Sequence, residues 1–179
     1  SEVMRHQMGI DRPNIGPLTD WMLLGSGDAV HERLVQPRVE PEIGLRLKTA
    51  LDARQAPVDR HTAAQAVEGA YACLEVVHST WTGYRFNREQ NTADNASAGQ
   101  VVIGPRLPVT DLMALDTVAV RLRDGSLTLG QGMGADADGH PLDAVARLVR
   151  ELAANGQRLE AGGWGITGGL TKACAVAPG

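Results

Sequence analysis

A strand-dominated α+β fold is what this chain should form, for three reasons. Short segments of alternating apolar and polar residues recur at 39 to 47, in "QVVIG", in "DTVAVRLRDG" and in "SLTLGQG", each bounded by the Gly, Pro or Asp that punctuate strands. Asp124-Gly125 between two of them is a two-residue hairpin signal. Helical periodicity is confined to a few segments, the clearest being "HPLDAVARLVRELAANG", where Leu142, Val145, Leu148, Val149 and Leu152 recur on one face, Pro141 suits the first turn and Gly156 follows the end.

In chain order, residues 2 to 8 read as a helix, and "GIDRPNIGP" then supplies Gly and Pro at the spacing of an ordered loop. "LTDWMLLGSGD" is a short apolar element ending in a turn. In the next segment Val39, Pro41, Ile43, Leu45 and Leu47 fall on one face of a strand, and Glu40, Glu42 and Arg46 on the other. Pro41 cannot donate a ladder hydrogen bond, which predicts an edge strand or one that begins there. "DRHTAAQAVEGAYACLEVV" reads as a helix giving way to a strand, with Thr62 the expected N-cap and Gly69 near the helix end. The segment "STWTGYRFNREQNTADNAS" is polar, long and irregular, the kind of loop that compact domains keep for function. The last strand surrounds "WGITGG" and leads into a Gly-rich turn.

With 179 residues the chain has room for one domain with a sizeable core. It begins at Ser1 and stops at "AVAPG", so residues 1 to 179 are expected to be a single domain and a fragment, lacking an N-terminal segment and the last strands of a longer protein. Aromatic residues are only 3%, so aliphatic side chains must fill the core. A net charge of -4 without a basic run argues against a nucleic-acid partner. Cys73 and Cys174 form no CxxC pair, so neither a zinc knuckle nor a disulfide framework is indicated. The absence of a membrane-length apolar stretch completes the case for a cytoplasmic protein with no membrane partner.

The acidic residues carry the chemistry. Alternate residues of a strand share a face roughly 6 to 7 Å apart, so Glu40 and Glu42 can reach toward one point. Converging carboxylates raise each other's proton affinity unless a cation relieves them. Glu75, inside the apolar run 72 to 77, could complete a set of three. Such a set suits Mg²⁺ or Mn²⁺, hard ions that prefer oxygen ligands. On spacing alone, Glu40 and Glu42 are more often the solvated face of an edge strand, and Glu75 can pair with an arginine at the rim of the core.

"VEPEIGLRL", "LEVVHSTW", "ADNASAG", "GHPLDAVARL" and "ITGGLTKACAVAPG" occur in the order found in the 4-oxalocrotonate decarboxylase and 2-oxopent-4-enoate hydratase group of the fumarylacetoacetate hydrolase superfamily, which the chain resembles over nearly its whole length. The resemblance implies a mixed β-roll of the superfamily's C-terminal-domain type and a divalent metal held by three glutamates. The group's E-x-E motif matches Glu40 and Glu42, and its L-E-V-V motif matches Glu75. By the same resemblance Asn95 and Ser97 of the D-N-A-S turn, and Gly168, Gly169 and Thr171, are expected to bind substrate, although Ser, Asn and Gly also suit turns for backbone reasons alone. The group's lysine, in a G-x-K-x-G-L-T-S segment, would precede Ser1, so no catalytic residue is assigned; Lys48 and Lys172 match no such motif. A homo-oligomer is implied, with a hydratase or decarboxylase partner.

Within the group the chain is more similar to the decarboxylases: "GPLTDWM" resembles their L-T-D-Y-M, and "TGGLT" their T-G-G-I-T. Hydratases tend to carry Asp in a Q-P-D-x-G stretch where this sequence has Asn14, an amide that can serve as neither acid nor base. The implied function is divalent-metal-dependent decarboxylation of a vinylogous 2-oxo diacid of the 4-oxalocrotonate type in the catabolism of aromatic compounds. A 2-hydroxypenta-2,4-dienoate hydratase, a non-catalytic scaffold and an acylpyruvate hydrolase are the alternatives, and for the last no His-Glu pair can be placed. Asp136 and Asp138, where relatives are usually small or apolar, are expected to form a solvated turn rather than a second metal site.

Overall fold

The computed structural model describes residues 14–177, so the helix expected at residues 2 to 8 lies outside it. In chain order the strands are β1 (Leu23–Gly25), β2 (Arg38–Leu47), β3 (Val67–Val77), β4 (Ala98–Arg106), β5 (Ala119–Asp124), β6 (Leu127–Met133), β7 (Trp164–Ile166) and β8 (Cys174–Ala175). The helices are α1 (Arg60–Ala66), α2 (Arg88–Ala93) and α3 (Pro141–Ala154), with short 3-10 turns between elements.

β2 is the spine. It pairs antiparallel with β3, placing Glu40 opposite Glu75 and Glu42 opposite Cys73. β3 continues antiparallel into β4, and β1 closes that side parallel to β4. On the other side of β2, β8 pairs at Arg38 and Val39, and β7 at Gly44 to Arg46. The mixed main sheet therefore runs β1-β4-β3-β2-β7 with β8 beside β2, and β5-β6 form a separate two-stranded ribbon.

Strand periodicity sorts the faces. Ile43, Leu45 and Leu47 of β2, with Val67 and Ala70, pack against Leu142, Val145, Ala146 and Val149 of α3, and this apolar layer is the larger core. The carboxylates of β2 and β3 occupy the opposite face. α3 starts at a buried His140, whose Nδ1 accepts from the Leu142 N–H at 3.1 Å, with Pro141 in the first turn as predicted.

Several local expectations need correction. β2 neither begins at Pro41 nor is an edge strand; it runs through the proline from Arg38 to Leu47. The Pro41 carbonyl accepts from Leu170 N at 2.9 Å, so its ring nitrogen faces the same side, where β7 has ended and β8 has not begun. No ladder bond is lost there. The N-cap of α1 is Asp59, whose carboxylate accepts from Thr62 N at 2.8 Å, so Thr62 is the capped residue and not the cap. Gly69 lies within β3, against the Arg106 guanidinium. The 79 to 97 segment is less irregular than expected, since it contains α2 and two 3-10 turns. The β5-β6 loop is Gly125-Ser126, because Asp124 already pairs with Leu127. Asp136 accepts from Met133 N at 2.8 Å in a turn, as expected, whereas the Asp138 side chain pairs with Arg147 and is 7% exposed, so it is not solvated. Both cysteines are free, and no helix among the described residues is long and apolar enough to cross a membrane.

Leu45 is fully buried between β2 and α3, so Leu45→Ala is expected to lower the unfolding free energy by about 2–5 kcal/mol. Chemical denaturation checks this; a loss below about 1 kcal/mol would show that the β2-α3 layer is not the principal core.

Candidate metal centre

Glu40 and Glu42 project from the same face of β2, and Glu75, cross-strand from Glu40, projects beside them from β3. The solvated edge-strand alternative does not hold, because Glu40 is 1% and Glu42 3% exposed. Glu75 is only partly exposed and is closed in by protein around its carboxyl.

The segment 167 to 171 crosses the gap between β7 and β8 and seals the site. The Gly168 N–H donates to Glu42 Oε2 at 2.7 Å, and the Gly169 backbone N–H lies close enough to Glu40 to lower its proton affinity. Glycine is needed at 169 for space: a Cβ there would stand 1.9 Å from Glu40 Oε2. Around these bonds, Glu40 Oε1 and Glu42 Oε1 are buried with no hydrogen-bond partner among the described residues. Buried acceptors left in this way are uncommon and call for an explanation.

Proton affinities show the strain. Burial, reinforced by the charge of Glu42, raises the Glu40 carboxyl to about 8, against the pull of the Gly169 N–H and of Arg38. Burial also raises Glu42, although a hydrogen bond with Glu75 and the Gly168 N–H pull it back. Glu75 is raised well above the ordinary range by burial and then by the charges of Glu42 and Glu40, and its shared hydrogen bond with Glu42 raises it further.

The donor set fits a hard divalent cation: all its atoms are carboxylate oxygens, two are unpaired, and their mutual repulsion would be relieved by positive charge. Burial and mutual repulsion raise the proton affinity of all three carboxyls, and among the described residues no group of three or more His, Cys, Asp or Glu stands as a ready-made cage. Cation binding would therefore displace protons and spread the side chains slightly.

The other expected site residues are placed differently. Gly168 and Gly169 touch the glutamates themselves. Thr171 is buried, and its hydroxyl donates to the Lys172 carbonyl at 3.1 Å. Asn95 donates to the Pro17 carbonyl, and the buried Ser97 hydroxyl accepts from Asn91 Nδ2 at 2.9 Å, so neither hydrogen-bonds to the carboxylates. Residues 95 to 97 all have positive φ, a run of left-handed non-glycine backbone that holds this turn in an unusual form. Sequence reasoning missed Arg38 and Tyr84. The Arg38 guanidinium lies 4.0 Å from the Tyr84 ring centroid, on the glutamate face. Its alternation with Glu40 and Glu42 was the available signal. Cys73, opposite Glu42, is pushed up to about 12 by burial and by that carboxylate, which leaves it an inert thiol.

A solved structure of a putative fumarylacetoacetate hydrolase family protein from Yersinia pestis shares this fold, with a TM-score of 0.62 at 15% identity, covering 90% of this chain and 72% of that one. No family profile matches the chain. Among curated relatives, 4-oxalocrotonate decarboxylase of Pseudomonas putida is 33% identical over 97% of this chain and 65% of its own length. The 2-hydroxyhexa-2,4-dienoate hydratase of Comamonas testosteroni is 33% identical over 100% of this chain and 68% of its own length. A crystal structure of 4-oxalocrotonate decarboxylase from Pseudomonas putida G7, complexed with magnesium and adipate, superposes with a TM-score of 0.88 at 32% identity, covering 98% of this chain and 66% of that one. The chain belongs to this family of hydratases and decarboxylases, and spans just under two thirds of the length of the decarboxylases.

The Glu40 carboxyl, raised in the folded protein above its ordinary 4.5, contributes stability that is complete below that value and lost as pH climbs through about 8. With EDTA present, the melting temperature is expected to fall between about pH 5 and 8, and Glu40→Gln to flatten that fall. Parallel pH profiles for the two proteins would contradict the burial of Glu40.

Proposed function

We propose that this chain carries the metal-dependent lyase site of a 4-oxalocrotonate-type decarboxylase, acting on a vinylogous 2-oxo diacid with Mg²⁺ or Mn²⁺ in the catabolism of aromatic compounds. The observation that carries this is the pair of buried carboxylates Glu40 and Glu42 beside the partly exposed Glu75, with two carboxylate oxygens unpaired on one face of the sheet. The decarboxylase relative that holds magnesium and a dicarboxylate supports the same reading.

Glu40, Glu42 and Glu75 would hold the ion through their oxygens. When bound, it supplies Lewis-acid stabilisation of the charge that develops on a chelating 2-oxo acid as the far carboxylate leaves as CO₂. The protein orients the ligands: the Gly168 N–H fixes Oε2 of Glu42 and leaves Oε1 available, while the Gly169 backbone closes against Glu40. Half-buried Tyr71, Trp164 and Ile166 lie on or beside the same face and partly shield it from water, with the Tyr71 and Trp164 rings edge to face at 5.0 Å. A drier site strengthens every electrostatic contact within it.

The hydratase reading has its own support, since curated hydratases match as well as decarboxylases do. Position 14 favours the decarboxylase. The Asn14 amide donates to Asn91 Oδ1 at 2.9 Å and to Thr92 Oγ1 at 3.0 Å, tying the loop to α2 in a way an ionised aspartate could not. Apolar side chains left at the surface of the β5-β6 ribbon, Leu127, Leu129 and Met133, support a homo-oligomer.

Glu42→Gln is expected to weaken Mg²⁺ or Mn²⁺ binding at least about tenfold and to abolish CO₂ release while the circular dichroism spectrum is retained. Unchanged turnover in this variant would rule out the metal assignment, and water addition to 2-hydroxypenta-2,4-dienoate without CO₂ release from 4-oxalocrotonate would favour the hydratase. Gly169→Ala drives a methyl group into the Glu40 carboxylate and should lower cation affinity by a comparable factor, read by calorimetry.

A further inference from the structure

Arg38 has a position no other described arginine shares. It lies two residues before Glu40 on the same face of β2, roughly 6 to 7 Å away along the strand. Arg46, Arg54, Arg60, Arg147 and Arg158 each face a carboxylate. Arg38 is half-buried and forms no hydrogen bond or ion pair with a described residue. What holds it is the Tyr84 ring, at 4.0 Å from the centroid.

That platform is rigid. Tyr84 is buried, and its hydroxyl donates to the Gln36 carbonyl at 3.0 Å. The Gln36 amide in turn donates to the Ser79 and Trp81 carbonyls and accepts from Gly83 N, which pins the 79 to 84 segment to the start of β2. A guanidinium fixed by its flat face keeps its edge donors free, and a planar fork of N–H donors matches a carboxylate.

Charge balance points the same way. Three ionised glutamates around one divalent ion leave a net negative charge, which repels a dianionic substrate unless a cation stands nearby. Arg38 is that cation, close enough for its charge to be felt at both Glu40 and Tyr84.

Resting on the functional reading above, we propose that Arg38 is the specificity-determining residue that receives the far carboxylate of a 2-oxo diacid whose 2-oxo acid end is held at the glutamate centre. A monoacid of the same length leaves Arg38 without a partner. The residue thus selects diacids over the monoacids that a hydratase would take.

The test is calorimetric titration of the Mg²⁺-loaded chain with 2-oxoadipate and with 2-oxohexanoate, which share a length and a 2-oxo acid end but differ in the far carboxylate. The unmodified protein should bind the diacid at least about tenfold more tightly, the range of a charge-assisted hydrogen bond. Arg38→Gln should erase that preference while leaving the affinity for 2-oxohexanoate and for Mg²⁺ unchanged. Arg38→Lys should keep part of it, since it retains the charge without the fork. Arg38→Met, which keeps an apolar stem over Tyr84, repeats the loss if the glutamine variant does not fold. A preserved preference in Arg38→Gln and Arg38→Met overturns the assignment and leaves the metal centre standing, as does an equal weakening of both ligands. If the unmodified protein binds neither ligand with Mg²⁺ present, the functional reading falls and the role of Arg38 with it.

Discussion

Desolvated carboxylates facing one another are the constraint on which this structure turns. Burying one ionised carboxyl is costly, and burying several within reach of each other is costlier unless protons or a cation intervene. Here β2 and β3 place three on one face, and the surrounding protein withholds enough partners that two oxygens are left unpaired. A fold selected for stability alone would have replaced them with apolar side chains.

The scaffold is arranged around that demand. β2 is stiffened by Pro41 between the two glutamates, and the proline is tolerated because β7 and β8 leave a gap at that point. The same gap admits the 167 to 171 segment, whose Gly169 approaches the Glu40 carboxylate more closely than a residue with a side chain could. On the reverse face, the aliphatic layer against α3 anchors the strand and fixes where the carboxyls point. One irregularity in the sheet therefore serves both the backbone and the site.

Much of this was legible in the sequence, because strand alternation is a strong signal: β2, β3, the hairpin and α3 follow directly from periodicity and turn residues. The joint placement of Glu40 and Glu42 could be read from spacing alone, whereas that of Glu75 depended on register, which a single sequence does not contain. Pro41 misled for a similar reason, since whether its nitrogen faces a neighbouring strand is a property of the sheet and not of the segment. The helix cap was misassigned by three residues because Asp59 and Thr62 are both good caps. Arg38 went unnoticed because a single arginine at the start of a strand ordinarily signals solvent, and only the tertiary contact with Tyr84 distinguishes it.

On the function proposed above, the three glutamates would hold a hard cation. The most direct measurement is a crystal structure of the protein soaked in Mn²⁺, with anomalous scattering recorded at the manganese edge. The expected result is one strong peak ligated by Glu40, Glu42 and Glu75. Manganese bound only elsewhere, with none at the three carboxyls, would contradict the account.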